Sequence, residues 1–234
     1  MMFFLNNKEV PGKLLGAIFN GLTLNVEGIE DTTACSHISA ITYYTESITD
    51  TSCKFTAYPC KSEADFKSGK CLKCSSPNGC NRMGYYSSPD SDLGSLYLNT
   101  QDPKLSPLCL QNFVINLYSH SLNNIKQARG KFTIAFKTTS QQTSSTEIFD
   151  DSATTFKQDS IETRLISLKK NINSSIQSAI ISYTKTTNIV SGWLYDAQWS
   201  FRYIEVLSDN QELVRLCPNT LVIDSGKSVE FTKC

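Results

Sequence analysis

The chain lacks an excess of either charge, because lysine and arginine together number 22 and aspartate and glutamate also number 22. Without a basic field the protein has little electrostatic attraction for nucleic acid, and without an acidic tail it has little for a basic partner. The chain also lacks any apolar run approaching the roughly 20 residues of a membrane-spanning helix. We therefore expect no nucleic-acid partner and no transmembrane segment.

Histidine is scarce as well, since His37 and His120 are the only two. Cys71-Leu72-Lys73-Cys74 has the spacing of half a zinc site, but no second Cys-x-x-Cys follows and neither histidine lies within the cysteine cluster. Zinc is the minor alternative at this point, and we expect neither a metal nor a cofactor.

Cysteine, by contrast, is abundant and clustered among serine, glycine, proline and asparagine. The nine cysteines are Cys35, Cys53, Cys60, Cys71, Cys74, Cys80, Cys109, Cys217 and Cys234. This pattern predicts a disulfide framework and hence an oxidising compartment. Asn173-Ser174-Ser175 adds one N-glycosylation sequon. We expect a secreted, extracellular protein.

The first residues do not fit a secreted chain that begins here. The apolar run Met1 to Leu5 is followed at once by Asn6, and it is shorter than the roughly 7 to 15 apolar residues of a signal-peptide core. An odd number of cysteines also leaves one thiol without a partner within the chain. Both observations predict that an upstream segment belongs to the protein.

The pattern of apolar and polar residues changes near residue 108. Residues 12–34 combine glycines with apolar residues and predict a short amphipathic helix and then a loop. Residues 49–92 show no sustained period, so we expect a loop region held by bridges rather than by a large apolar core. Between them, a helix is predicted over residues 37–48 from the spacing of one apolar stripe. The stripe consists of Ile38, Ile41, Tyr44 and Ile48.

Beyond residue 108, short alternating apolar runs predict strands, and the polar turns between them favour an antiparallel β-sandwich. The alternating residues are Phe113, Ile115, Leu117, Phe132, Ile134, Phe136, Phe201, Tyr203, Ile204, Val206, Leu221 and Ile223. The segment 165–181 suits a helix or a strand, and we favour a strand. The boundary at Ser106-Pro107-Leu108-Cys109 predicts two domains, residues 1–108 and 109–234.

One segment points to a family. Cys35-Ser36-His37, followed by Tyr44-Thr45-Glu46-Ser47-Ile48, resembles the Cys-x-His region of the pancreatic-type lipases. The order and spacing of motifs continue to agree over most of the chain. Further matching segments are Phe55-Thr56-Ala57-Tyr58-Pro59-Cys60, Met83-Gly84-Tyr85-Tyr86, Tyr97-Leu98-Asn99-Thr100 and the pair Cys217 and Cys234.

The resemblance implies an α+β protein. Residues 1–108 would be the C-terminal remnant of an α/β-hydrolase domain, with a lid in residues 12–34, and residues 109–234 would be an antiparallel β-sandwich of the PLAT type. It also implies three disulfides, Cys60–Cys71, Cys74–Cys80 and Cys217–Cys234. Cys53 and Cys109 look like extra cysteines of the phospholipase A1 branch, and we interpret them as a fourth pair. Cys35 is then unpaired, because its usual lid-loop partner is absent near residue 12.

The chemistry implied by the resemblance is hydrolysis of carboxylic esters. In such enzymes a histidine, here His37, is oriented by an aspartate and takes the proton of a serine nucleophile. The chain has no Gly-x-Ser-x-Gly; its nearest approach, Gly226-Lys227-Ser228-Val229-Glu230, lacks the second glycine and follows the histidine, whereas the fold's order is Ser, Asp, His. We predict that the chain is inactive alone and belongs to a phospholipase A1 or a triacylglycerol lipase. The lid length resembles triacylglycerol lipases, whereas Cys53 and Cys109 shift the preference slightly to phospholipids.

Two alternatives to an enzyme stay open. The chain is either a noncatalytic, lipase-derived module whose sandwich binds a lipid surface or a protein partner, or an unrelated cysteine-rich extracellular domain, which would leave the matching cysteine order to coincidence. An aromatic set near the C-terminus would support the first alternative if its side chains formed an exposed patch for lipid. We favour packing in the core, because the cores of β-sandwiches contain many aromatic residues. The set is Trp193, Tyr195, Trp199 and Phe201.

Overall fold

The computed structural model describes residues 2–5, 32–50, 54–72, 74, 79–88, 93–121, 127–139, 144, 147–148, 154–169, 176–186, 195–208 and 212–234. At 2–5, 32–38, 147–148 and 154 it describes the backbone alone. Most of the predicted lid segment (residues 12–31), together with Cys53, Asn173 and Trp193, lies outside the described residues.

The described part of the chain is mostly β-structure. Its helices are α1 (Thr32–Thr49) and α2 (Glu63–Lys67). Its strands are β1 (Met2–Leu5), β2 (Thr56–Pro59), β3 (Asn81–Arg82), β4 (Ser95–Leu98), β5 (Leu110–Ser119), β6 (Gln127–Thr138), β7 (Glu147–Ile148), β8 (Thr154–Lys157), β9 (Ile161–Lys169), β10 (Ile176–Lys185), β11 (Gln198–Ser208), β12 (Leu213–Pro218), β13 (Val222–Asp224) and β14 (Lys227–Lys233).

Two sheets organise these strands. The smaller has four strands in the order β1-β4-β2-β3, in which β1 and β4 are parallel and the other pairs are antiparallel. The larger has ten strands, all antiparallel, with the main path β7-β6-β10-β14-β12-β11-β5-β9; β8 pairs with β6 and β13 with β11. The predicted strands of the second half are therefore confirmed, and the described residues of segment 165–181 belong to the strands β9 and β10 rather than to a helix.

The alternation of buried and less buried side chains along the strands explains how the larger sheet forms one core. Along β6 the buried side chains include Phe132, Ile134 and Phe136, which point to one face because successive strand residues point to opposite faces. Trp199 and Phe201 of β11 are buried in the same apolar cluster. Core packing, the favoured interpretation for these two aromatics, is confirmed.

The region 49–92 is more structured than its lack of period predicts. It forms β2, β3 and α2, and it buries Phe55, Tyr58 and Phe66 in two apolar clusters. The predicted bridges are present, since Cys60–Cys71 and Cys74–Cys80 lie in this region. The apolar contribution was underestimated, because elements of two to five residues are too short to display a period. The α2 helix begins after Ser62, whose hydroxyl accepts a hydrogen bond from the backbone N–H of Asp65.

Helix α1 confirms the helix predicted over residues 37–48, although it begins earlier, at Thr32. The described side chains of its apolar stripe are not buried: Ile41 is 51%, Tyr44 50% and Ile48 41% exposed. Among residues 39–49 of α1, the buried side chains are instead Tyr43 and Ser47. A helical period shows that one face is apolar, but the face that is covered depends on which elements lie beside the helix.

The outer face of the larger sheet packs on the first half of the chain. Val114, Leu165 and Leu207 share a cluster with side chains that surround the smaller sheet. Gly69 has a φ of +72°, and a Cβ there would lie 3.1 Å from a methyl group of Val114. The two halves of the described structure are therefore joined by an apolar seam.

Three disulfides lie wholly within the described residues: Cys60–Cys71, Cys74–Cys80 and Cys217–Cys234, with Cα–Cα distances of 5.7, 5.1 and 5.1 Å. They are the same pairs that the lipase resemblance implies. Because the cysteines of the Cys-x-x-Cys motif belong to two different disulfides, that motif does not supply zinc thiolates. Cys109 is also disulfide-bonded.

Removal of the C-terminal disulfide is expected to destabilise the larger sheet. A Cys217→Ala/Cys234→Ala double variant frees a loop of 17 residues and should lower the free energy of unfolding by about 3 kcal/mol in the chain-entropy account. Cys74→Ala/Cys80→Ala frees only 6 residues and should cost less, about 2 kcal/mol. Urea denaturation of both variants checks the order; a larger loss for the short loop would contradict it.

Candidate functional site

Helix α1 carries the candidate catalytic histidine. His37 lies in the second turn of the helix, which begins at Thr32. The imidazole of His37 and the thiol of Cys35 lie outside the described side chains. What the structure defines is how the helix that bears them is positioned.

Three polar contacts hold the second half of α1. The hydroxyl of Tyr43 donates a hydrogen bond to the carbonyl of Gln101 at 2.7 Å, and this contact is buried. The carboxylate of Glu46 accepts one from the backbone N–H of Leu108 at 2.7 Å. The hydroxyl of Ser47 accepts a third from the N–H of Tyr85 at 2.9 Å. Residues spaced by three or four lie on one side of a helix, so these contacts fix its orientation.

Gly84 permits a close approach to α1. Its φ of +87° favours glycine, and a Cβ at this position would overlap the side chain of Ser47. The loop containing Tyr85 and Tyr86 can therefore lie directly against the helix.

The near match to a serine elbow lies at a turn between two strands. Gly226, with a φ of +81°, lies between β13 and β14, and its N–H donates to the carbonyl of Tyr183. The hydroxyl of Ser228 lies 2.7 Å from that of Ser182 on the exposed face. A serine nucleophile needs a neighbouring base, and the observed partner of Ser228 is another hydroxyl.

The second histidine has a structural position. The N–H of His120 donates to the carbonyl of Ser200 at 3.0 Å, and the hydroxyl of Ser200 donates to the carbonyl of His120. These contacts anchor the end of β5 to β11. The described residues include no group of three or more histidine, cysteine, aspartate or glutamate side chains suited to a metal, and none of their helices is long and apolar enough to cross a membrane.

A pocket of about 190 Å³ adjoins the C-terminal end of α1. Lys54 and Arg82 contribute its positive charges, Asp50 contributes a negative charge, and Tyr86 also lines it. Tyr86 belongs to the matching segment Met83-Gly84-Tyr85-Tyr86, whereas Asp50, Lys54 and Arg82 come from three separate segments and belong to no motif.

An ordered polar cluster lies on the outer face of the larger sheet. The hydroxyl of Tyr118 donates to the carboxylate of Glu205 at 2.8 Å, and Arg215 donates to the other oxygen of that carboxylate at 2.7 Å. The guanidinium of Arg215 stacks 4.6 Å from the ring centre of Tyr203. Burial, with the hydrogen bond to Glu205, raises the pKa of Tyr118 to about 12.

This shift predicts a loss of stability at alkaline pH. The folded-state pKa of Tyr118 lies above its unfolded value of about 10, so its contribution is complete below pH 10 and is lost as the pH rises towards 12. Tyr118→Phe should flatten the decline of unfolding free energy across this range. Chemical denaturation at several alkaline pH values measures it, with Tyr85→Phe, an exposed tyrosine, as the control. An unchanged slope in Tyr118→Phe would contradict the prediction.

Comparisons with known proteins place these features in context. The family described as Lipase matches residues 2–105. Lipase member H of Oryctolagus cuniculus is 27% identical over 84% of this chain and 43% of its own length. Pancreatic triacylglycerol lipase of Equus caballus is 36% identical and inactive pancreatic lipase-related protein 1 of Canis lupus familiaris is 35% identical, each over 43% of this chain and 23% of the relative. The chain thus spans less than half the length of these relatives.

Among solved structures, the alpha-toxin of Clostridium perfringens overlays 53% of this chain and 31% of the toxin chain, with a TM-score of 0.40 and 16% identity.

Proposed function

The chain belongs to the pancreatic-lipase family, and we propose that it forms the C-terminal part of a secreted enzyme that hydrolyses carboxylic esters of lipids. The observation that carries this proposal is Cys35-Ser36-His37 on α1, within the matched residues 2–105. The chain covers a minority of each relative's length, so the activity is proposed for a longer protein.

In the proposed mechanism His37 is the general base. It takes the proton of a serine nucleophile as that serine attacks the acyl carbonyl, and then returns the proton to the leaving alcohol. The serine, the orienting aspartate and the oxyanion hole come from a preceding segment, because the chain has no Gly-x-Ser-x-Gly. The hydrogen bonds of Tyr43, Glu46 and Ser47 hold the helix that bears this histidine.

The proposed domains follow the same family architecture. Residues 1–108 would be the end of an α/β-hydrolase domain, which the parallel pairing of β1 with β4 supports. Residues 109–234 would be a PLAT-type β-sandwich, which the antiparallel sheet with its single apolar cluster supports. Residues 12–31 would contain the lid, and Cys35 would pair with a cysteine of that longer protein.

Phospholipids are the proposed substrate over triacylglycerols. The support is the proposed pair of Cys53 with Cys109, which resembles the phospholipase A1 branch; Cys109 is disulfide-bonded in the structure. Disulfides and the Asn173 sequon support an extracellular location.

A second candidate function is noncatalytic binding to a lipid surface or a protein partner through residues 109–234. One observation favours it. The canine relative, which matches the same 43% share of this chain as the equine pancreatic triacylglycerol lipase, is named an inactive pancreatic lipase-related protein. Under this alternative His37 has no partner serine and remains as a remnant.

Sequencing of the transcript upstream of Met1, followed by assay of the encoded protein, tests both functions. An in-frame signal peptide, serine elbow and aspartate, with hydrolysis of phosphatidylcholine or triolein by the secreted product, would support the enzyme. A transcript that starts at Met1, whose product hydrolyses neither lipid, would support the binding module. The 234-residue chain alone is expected to be inactive in either case.

A further inference from the structure

The linker between the two sheets, residues 99–109, is a closed loop. Thr100 and Cys109 lie opposite each other in an antiparallel bridge. The N–H of Gln101 donates to the carbonyl of Leu108 at 2.9 Å. Strand β5 of the larger sheet begins directly after the linker. The two ends of the linker therefore lie side by side where the chain enters the larger sheet.

Helix α1 contacts both ends of this linker. At one end the hydroxyl of Tyr43 donates to the carbonyl of Gln101, and this contact is buried. At the other end one carboxylate oxygen of Glu46 accepts from two consecutive backbone N–H groups, those of Leu108 at 2.7 Å and Cys109 at 3.4 Å. Leu108 and Cys109 are buried in the same apolar cluster as Tyr43. The helix is thus attached directly to the segment that leads into the larger sheet.

A second set of contacts ties the linker to the larger sheet itself. The side-chain amide of Asn99 donates to the hydroxyl of Ser167 on β9 at 2.7 Å. That hydroxyl donates in turn to the amide oxygen of Asn112 on β5 at 2.6 Å. The linker is therefore held on one side by α1 and on the other side by two strands of the larger sheet.

We propose that Glu46 is a positioning residue that couples the orientation of α1, and hence of His37, to the position of the larger sheet. This inference rests on the proposed role of His37 as the general base. Glu46 lies roughly 14 Å from His37 along the helix axis, so it acts on the reaction only through the helix. A misplacement of about 1 Å in a reacting group can lower a rate on the order of 100-fold. A partner that displaces residues 109–234 would then change kcat through this contact.

The geometry predicts which substitutions of Glu46 preserve the coupling. One oxygen of Glu46 receives both linker N–H groups, so the amide oxygen of glutamine can replace it, whereas alanine removes the acceptor. In the longer protein, Glu46→Ala should lower kcat about tenfold, a part of the loss that a full misplacement causes. KM should change little, because no substrate contact is altered. Glu46→Gln should keep kcat within a few-fold of the parent protein. Initial rates on dispersed phosphatidylcholine and triolein measure both variants.

Glu230→Ala is the matched control. The carboxylate of Glu230 also accepts two hydrogen bonds through one oxygen, from Lys137 at 2.9 Å and from Ser178 at 2.8 Å. All three residues belong to strands of the larger sheet, so these contacts do not involve the linker. Glu230→Ala should therefore leave kcat within a few-fold of the parent protein.

A double-mutant cycle measures the coupling between the two sides of the linker. Ser167→Ala breaks the contact of the linker with the larger sheet and should lower kcat about threefold while Glu46 is present. In the Glu46→Ala background it should lower kcat no further, because the connection to α1 is already lost. Losses that multiply independently would overturn the proposal. Equal kcat in Glu46→Ala and Glu230→Ala, or equal losses in Glu46→Ala and Glu46→Gln, would also overturn it.

Hydrogen exchange of the 234-residue chain tests the coupling without any hydrolysis. Ser167→Ala should accelerate exchange of the amides in residues 39–49 of α1, with no further acceleration in the Glu46→Ala background. If this dependence is found and the longer protein hydrolyses neither lipid, the proposed enzyme fails while the coupling is supported. Exchange in α1 that does not respond to Ser167→Ala would overturn the coupling, whatever the activity of the longer protein.

Discussion

Alanine in place of His37 is expected to lower kcat for lipid ester hydrolysis by the longer protein on the order of 10⁶-fold, as loss of the base does in serine hydrolases. Without the imidazole, the serine attacks as a neutral hydroxyl and no group protonates the leaving alcohol. Substrate binding does not depend on that proton transfer, so KM should change little. Initial rates on dispersed phosphatidylcholine and triolein measure the effect.

The chain offers a matched histidine as a control. His120 lies at the end of β5, and its backbone, rather than its imidazole, makes the contacts with Ser200. His120→Ala should therefore leave kcat within a few-fold of the parent protein. Activity that survives His37→Ala, with an unchanged circular dichroism spectrum, would rule out His37 as the general base.

Alanine in place of Phe132 is expected to lower the free energy of unfolding by about 3 to 5 kcal/mol, the range for truncation of a buried phenylalanine. The side chain is 1% exposed. Its ring centre lies 4.3 Å from that of Phe156, 4.8 Å from Tyr183 and 5.7 Å from Phe201. Removal of the ring leaves a cavity between β6, β8, β10 and β11, because four strands cannot all move inward at once. Urea denaturation measures the loss.

Ile161→Ala is the control for that core position. Ile161 is also an apolar strand residue of the larger sheet, but it is 54% exposed, and its truncation should change stability by no more than about 0.5 kcal/mol. Equal losses in the two variants would show that Phe132 does not occupy the centre of the core.

The strands of the second half could be predicted because each is long enough to repeat its alternation. Phe132, Ile134 and Phe136 recur every second residue, and the sheet buries them on one face. The short elements between Thr49 and Asp92 could not be predicted in this way, since α2 has five residues and β3 has two. Their burial depends on contacts with other segments, such as that of Phe66 with Tyr97.

Gly130 illustrates a constraint that no local pattern reveals. It sits within β6, where glycine ordinarily weakens a strand. A Cβ at this position would overlap the carbonyl of Thr184 and the ring of Tyr183 on the neighbouring strand β10. The glycine is required by a residue more than fifty positions later in the chain.

The order of the cysteines and the Cys-Ser-His segment were sufficient to indicate a resemblance to the lipase family, because the order of motifs is a property of the chain itself. That resemblance in turn implied the three described disulfide pairs. Tertiary structure decided which face of α1 is covered and how Tyr43, Glu46 and Ser47 hold that helix. It also placed Lys54 and Arg82 in the lining of one pocket. These features depend on distances between segments far apart in the chain, and such distances are set only when the sheets pack.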